Sequence, residues 1–257
     1  MYVWCMDTQS RHSAIVARLQ DLGRVDVAEL AGQFATSEVT VRRDLDALAG
    51  AGVLRRVRGG AVSLLMRGDE LPIAMRELES AGAKGRIGVA AAALLRDGEA
   101  VAVDSGTSGL AVARELIGRR LTVMPLSLPA AGVLATSAPT TLLLPGGTVR
   151  YGEGSLVGPA TEASLASLRF DTTVLTCCGL SWAAGVTAHD VQDAAVKKAA
   201  VTAAARVVLV AEAAKFSRTA LAVVCALERL DVLVTDSAAP DGALAQLRAA
   251  GVEVVLA

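Results

Sequence analysis

Between residues 10 and 22 the apolar positions Ile15, Leu19 and Leu22 recur at i, i+4 and i+7, the one-sided stripe of an amphipathic helix. Gly23 follows, where glycine readily ends a helix. Val27, Leu30 and Phe34 form a second, shorter stripe. Asp26 stands before it as an N-cap, with Glu29 three residues on in the spacing of a capping box. Gly32 weakens this helix by about 1 kcal/mol relative to alanine. Ala35 and Thr36 predict a tight turn. Ser37 then caps a third helix, and Glu38 suits its positive N-terminal end. Val41, Leu45 and Leu48 repeat at i, i+4 and i+7, so Thr40, Arg42 and Arg43 project away from the core. Gly50-Ala51-Gly52 stops the helix. The run Val53 to Val57, the pair Gly59-Gly60 and Ala61 predict a strand, a glycine turn and a returning strand.

Three short helices followed by a basic hairpin are the order of a winged helix-turn-helix, whose third helix enters the major groove. Ser37, Thr40, Arg42 and Arg43 are placed to reach base edges and phosphates, and Arg55, Arg56 and Arg58 of the wing to lie along the backbone or minor groove. The competing reading is a solvated face, because Glu38, Asp44 and Asp46 dilute the charge. His12 is expected on a helix surface. Residues 62–80, with Gly68, Pro72 and mixed charge, lack a strong period. The expected organisation is a DNA-binding domain over 8–63, a linker over 64–81 and a larger domain over 82–257.

Lys84 to Arg96 reads as a helix with Ile87, Ala91 and Leu94 on one side. Apolar runs then alternate with helical patterns. Strands are predicted at 100–104, 121–126, 140–144, 172–177, 206–211, 221–225, 231–235 and 252–256. Helices are predicted at 107–117, 128–136, 159–169, 190–204 and 240–250. Continuous Val/Leu strands imply a sheet covered on both faces, and the alternation implies parallel β-α-β units. The fold class is therefore α/β: an N-terminal winged helix-turn-helix followed by a Rossmann-like, mostly parallel domain.

Ligands of such sheets sit outside the carboxyl ends of the strands. Asp104-Ser105-Gly106-Thr107-Ser108-Gly109 falls at one of those ends and opens a helix. Glycines admit a ligand close to the backbone, helix N-terminal amides favour phosphate, and Thr107 and Ser108 add hydroxyls. A plain strand-to-helix turn carries the same residue types. Gly146-Gly147 is a second candidate rim loop or a simple turn. Lys197 and Lys215 are candidate counter-charges for a phosphate, a solvated helix lysine being the alternative for Lys197. His189 reads as a solvated loop residue.

With 53% hydrophobic residues the chain can fill a core, and its net charge of −1 confines any nucleic-acid contact to a local patch. Cys5, Cys177, Cys178 and Cys225 lack paired C-x-x-C spacing and read as reduced thiols in the cytoplasm. Neither a metal nor a cofactor is expected. No apolar run approaches the ~18 residues of a membrane span. The opening residues lack the charged and apolar regions of a secretory signal. Met6 is an alternative start.

The segment Gly23 to Ala61 resembles the DNA-binding domain of DeoR-family bacterial regulators. Ser37-Glu38-Val39-Thr40-Val41-Arg42-Arg43-Asp44-Leu45 is close to that family's recognition helix, and Leu54 to Ala61 to its wing. Looser landmarks continue at Lys84, Asp104 to Ser108, Gly146-Gly147, Val157-Gly158-Pro159, Gly185-Val186-Thr187, Val196-Lys197-Lys198 and Lys215-Phe216. The resemblance implies a regulator, usually a repressor, of sugar or related metabolism. It also implies a C-terminal domain similar to ribose-5-phosphate isomerase that binds a phosphorylated sugar. Operator DNA, such an effector and further copies of the chain, as dimer or tetramer, are the implied partners. Two departures stand out. Leu126 occupies a position where relatives commonly have Asn, and Cys178 one where they commonly have an acid. A thiol cannot replace a carboxylate base, which argues against isomerase activity and sets the effector apart. The competing functions are a sugar-phosphate isomerase or transferase, with Asp104 and Asp190 as possible bases, and a constitutive DNA binder without effector.

Overall fold

The computed structural model describes residues 6–64, 73–78, 80–216 and 218–257. The chain forms two compact units that divide after Ser80. In the first, α1 (Thr8–Leu22) is capped by Asp7, whose carboxylate accepts the Ser10 amide at 2.9 Å. It ends at Gly23, which is left-handed at φ +70° and bonds back to the Leu19 carbonyl. The buried stripe is Ile15, Val16 and Leu19; Leu22, expected in it, is 62% exposed because it lies in the last turn where the chain reverses. A short strand β1 (Arg24–Asp26), not foreseen, leads into α2 (Val27–Gln33), and the Asp26 carboxylate accepts the Ala28 and Glu29 amides.

After a turn containing Ala35 at φ +49°, α3 (Glu38–Gly50) starts at Ser37, whose Oγ accepts the Thr40 amide at 3.1 Å. Val41, Leu45 and Leu48 are fully buried against Ile15, Leu19 and Leu30. Strands β2 (Leu54–Val57) and β3 (Gly60–Ser63) form the hairpin, and β1 joins to give the order β1-β3-β2. A Cβ at Gly60 would stand 2.0 Å from the Val25 carbonyl oxygen, so glycine is what lets β1 lie alongside. Within the stretch expected as a linker, α4 (Ile73–Leu78) is helical, while residues 65–72 and 79 are outside the described residues.

The second unit opens with α5 (Ala81–Ala93), β4 (Ala100–Val103), α6 (Gly106–Glu115), β5 (Thr122–Pro125), α7 (Leu128–Leu134) and β6 (Thr141–Leu142). Then come β7 (Thr148–Val149), β8 (Leu156–Val157), α8 (Pro159–Ala166), β9 (Phe170–Leu175), β10 (Gly179–Ser181), β11 (Gly185–Ala188) and α9 (Val191–Ala203). The unit closes with β12 (Ala204–Val210), β13 (Ala222–Cys225), β14 (Val232–Thr235), α10 (Asp241–Ala249) and β15 (Glu253–Leu256). Seven strands form one sheet in the order β15-β14-β12-β9-β4-β5-β6, every pair parallel.

Alternate strand residues serve the two faces. Val101, Val103, Val174 and Val208 pack with Ile87 of α5 and Val112 of α6. Ala102 and Met124 pack with Leu165 of α8 and Val196 of α9, while Leu175, Val207, Leu209 and Leu233 meet Leu244 and Leu247 of α10. Burial on both sides is why these strands read as unbroken apolar runs. The run 221–225 is the exception. It leaves the main sheet and pairs antiparallel with β11 in a separate sheet, β10-β11-β13.

Candidate functional site

In the N-terminal unit the acidic residues that dilute the basic face are already paired. Arg42 Nη2 lies 2.6 Å from Glu38 Oε2, one helical turn away. Arg56 Nε meets Asp46 Oδ1 at 3.0 Å. Asp44 is buried and turned inward, taking Arg11 Nε at 2.8 Å, Arg11 Nη2 at 3.2 Å and His12 Nε2 at 3.1 Å. His12 is therefore a largely buried partner of α3 and not a surface residue. Arg43, Arg55 and Arg58 are exposed and have no partner among the described residues. Ser37 and Thr40 share a hydroxyl–hydroxyl bond of 2.9 Å at the start of α3. Sequence reasoning missed Arg24. It lies opposite Val62, which lies opposite Arg55, so the two arginines flank β3 on one exposed face. Only the register of β1 reveals this.

In the second unit the carboxyl ends of β4, β9 and β12 gather a buried polar cluster. Asp104 Oδ1 accepts the Ser105 amide at 2.8 Å, and Oδ2 accepts the Thr176 amide at 2.8 Å and the Thr176 hydroxyl at 2.9 Å. Lys197 ion-pairs with the same Oδ2. Its Nζ also lies 3.1 Å from Thr176 Oγ1 and 3.4 Å from Asp193 Oδ2, and its side chain is 3% exposed. Burial alone would lower the pKa of this ammonium, but Asp104 and then Asp193 hold it above the ordinary lysine value. Burial raises Asp193, outweighing the attraction of Lys197. The expectation of an open or solvated Lys197 is thus replaced by one enclosed between two carboxylates.

The turn from β4 to α6 needs its glycines. Gly106 sits at φ +88°, and a Cβ at Gly109 would lie 2.1 Å from the Asp104 carbonyl oxygen. Ser105, the residue before α6, makes no side-chain cap and donates instead to Asp193 Oδ1 at 3.2 Å. Thr107 and Ser108 are buried; Ser108 Oγ donates to Glu212 Oε1 at 3.3 Å, which lies 3.6 Å from Lys84 Nζ. Lys215 is half-buried in a short turn after β12, near Cys177. Burial pushes the Cys177 thiol up to about 12, with Lys215 and Lys197 opposing weakly, so it remains a thiol.

Other expected residues fall elsewhere. A Cβ at Gly147 would lie 2.0 Å from Thr161 Oγ1, and the Thr161 hydroxyl donates to the Gly146 carbonyl at 2.6 Å. The glycine pair is thereby clamped on α8, and its described contacts do not reach Asp104. Asp190, weighed as a base, caps α9 through the Gln192 and Asp193 amides at 2.9 Å and pairs with Arg150 at 3.5 Å. His189 is half-buried beside it. Leu126 is packed with Met124 and Val157, and the Cys178 amide donates to the Thr187 carbonyl at 2.9 Å.

Residues 11–65 match the model of a DeoR-like helix-turn-helix domain, and residues 79–237 that of a DeoR C-terminal sensor domain. The transcriptional repressor AccR of Agrobacterium fabrum is 32% identical over 90% of this chain and 90% of its own. The glycerol-3-phosphate regulon repressor of Escherichia coli K12 is 28% identical over 91% of this chain and 93% of its own. Among solved structures, ribose 5-phosphate isomerase A of Methanocaldococcus jannaschii aligns over 52% of this chain and 53% of its own, with 15% identity and a TM-score of 0.37. No helix among the described residues is long and apolar enough to cross a membrane. The chain belongs to the DeoR family and is a DNA-binding transcriptional regulator, a helix-turn-helix unit followed by a sensor domain.

Proposed function

We propose that this regulator is a cytoplasmic repressor of genes for a phosphorylated carbon compound, and that a sugar or polyol phosphate releases it from its operator. In this reading Ser37, Thr40, Arg42 and Arg43 of α3 meet the major groove, and Arg55, Arg56 and Arg58 hold the backbone beside it. One helix-turn-helix reads a half-site, so the working form is a dimer or higher oligomer. The observation that carries the effector half is the start of α6. Its first-turn amides lack a side-chain cap, at the carboxyl end of a central parallel strand, where Ser108 and Lys84 meet at Glu212, three residues before Lys215. That is the setting in which a helix N-terminus takes a phosphate. Gly106, Thr107 and Ser108 contact the phosphate, with Lys215 as the counter-charge. Asp104 and Lys197 form the floor beneath them. Gly146 and Gly147 buttress α8.

The protein acts by binding and not by catalysis. Asp104 and Asp190, the two carboxylates offered as bases, are each committed to backbone amides and a cation. The test is a thermal-shift panel of sugar and polyol phosphates with their unphosphorylated parents. One phosphate ester should raise the melting temperature of the second unit while its parent alcohol does not, and Ser108→Ala should weaken it. Failure of every phosphate to bind would overturn the effector assignment and favour a constitutive DNA binder.

A further inference from the structure

The groups that touch DNA in this reading lie on the outer side of α3, but the most directional contact of that helix is on its inner side. Val41, Leu45 and Leu48 bind α3 to the core by apolar contact, a driving force that carries no direction of its own. Asp44 lies on the same inner face, 4% exposed. Arg11, 7% exposed, presents Nε and Nη2 to the two carboxylate oxygens as a fork, and His12 adds a third bond. The remaining donors of Arg11 are anchored as well: Nη1 donates to the Met6 carbonyl at 2.6 Å and Nη2 to Thr8 Oγ1 at 3.2 Å. The fork is thus held at both ends, by the first turn of α1 and by the middle of α3.

We infer that the Arg11–Asp44 pair is the positioning device for operator recognition. It fixes the rotation of α3 so that exposed Arg43 beside Asp44, and half-buried Thr40 one turn before it at the edge of that face, meet their base edges in register. Arg43 directly precedes Asp44, and Thr40 lies one turn before it, so an error in the azimuth of Asp44 passes undiminished to both. At the ~5–6 Å radius of helix side chains, a rotation of roughly 20° moves a contacting group by about 2 Å. Hydrogen bonds to a base edge do not survive such a shift, whereas attraction to phosphates does. The pair should therefore govern discrimination between sequences and leave general DNA affinity alone.

The inference rests on α3 being the recognition helix, and the experiment separates the two claims. Full-length wild type, Arg43→Ala and the double variant Arg11→Met/Asp44→Leu are measured by fluorescence anisotropy on operator and on scrambled DNA across a salt series. The double variant removes both buried charges together, the replacement that folded proteins tolerate best. It should melt at or above the wild-type temperature, bind scrambled DNA with unchanged affinity and salt slope, and show an operator preference reduced roughly tenfold. Asp44→Asn, which keeps the shape and breaks the charged fork, should show the same loss of preference at a lower melting temperature. A folded double variant with wild-type preference overturns the inference, as does a double variant that fails to fold, since the pair would then serve stability. Absence of operator preference in the wild type, or no effect of Arg43→Ala on it, overturns the assignment of α3 instead.

Discussion

Lys197→Met distinguishes a lysine that holds the site together from one that waits for phosphate. In the structure its ammonium is the cation shared by Asp104 and Asp193, whose side chains are 1% and 10% exposed. Removing it leaves two buried carboxylates without their counter-charge. Breaking a buried ion pair from one side costs about 3–5 kcal/mol. For a unit of this size each kcal/mol lowers the melting temperature by about 2–4 °C, giving a drop of about 6–20 °C. The sign with pH follows from the same geometry. The folded pKa of Lys197 lies above its ordinary 10.5, so its stabilisation is complete below pH 10.5 and lost as pH rises through the folded value. In the variant Asp193, already raised by burial, loses the opposing attraction of Lys197, so protonation relieves it and the deficit shrinks from pH 7 toward pH 4. Thermal unfolding followed by circular dichroism at those two pH values measures both effects. A variant melting within about 2 °C of wild type at pH 7, where about 6–20 °C is expected, would show that Lys197 is not the keystone of the cluster.

Arg43→Ala should weaken operator binding by about 1–3 kcal/mol in anisotropy titrations, and Arg42→Ala by less, because Arg42 starts from an ion pair with Glu38. Arg55→Ala and Arg58→Ala should weaken all DNA sequences alike, each lowering the slope of affinity against salt by about 1. Asp193→Asn should flatten the stability curve above pH 3.8: the folded pKa of Asp193 is raised, so the stability it contributes is full below 3.8 and is lost as pH rises through the folded value. Cys225, raised from 9.0 to about 11, should react with a thiol reagent at pH 8 about a hundredfold more slowly than a free cysteine, judged by mass spectrometry of its peptide. Gly109→Ala forces a Cβ onto the Asp104 carbonyl and should cost about 1–3 kcal/mol by denaturant titration.

Long periodic elements were legible because their signals are local. The stripe Val41, Leu45, Leu48 and the Ser37 cap define α3, and the Val/Leu runs define the central strands, since two-sided burial leaves no polar alternation. Three-residue strands were not legible. Arg24-Val25-Asp26 and Gly179-Leu180-Ser181 are too short for a period, and each becomes a strand only because a distant partner pairs with it. Asp193 and Lys197 stand one helical turn apart within α9, but the meeting of Lys197 with Asp104, 93 positions away, follows from the order of the sheet. The sequence places His12 on a helix surface and Asp44 among the acids that dilute the basic face, because nothing within one helix shows which charge faces inward. Arg11, 33 positions from Asp44, supplies that answer.

Control of transcription by a phosphorylated effector is decided by anisotropy of the full-length protein on DNA from upstream of its own gene, with scrambled DNA as control and sugar or polyol phosphates added in turn. A repressor of this kind binds the upstream DNA preferentially and in a salt-sensitive way, and one phosphate ester reverses that binding. Equal affinity for both DNAs at every salt concentration would rule out sequence-specific repression.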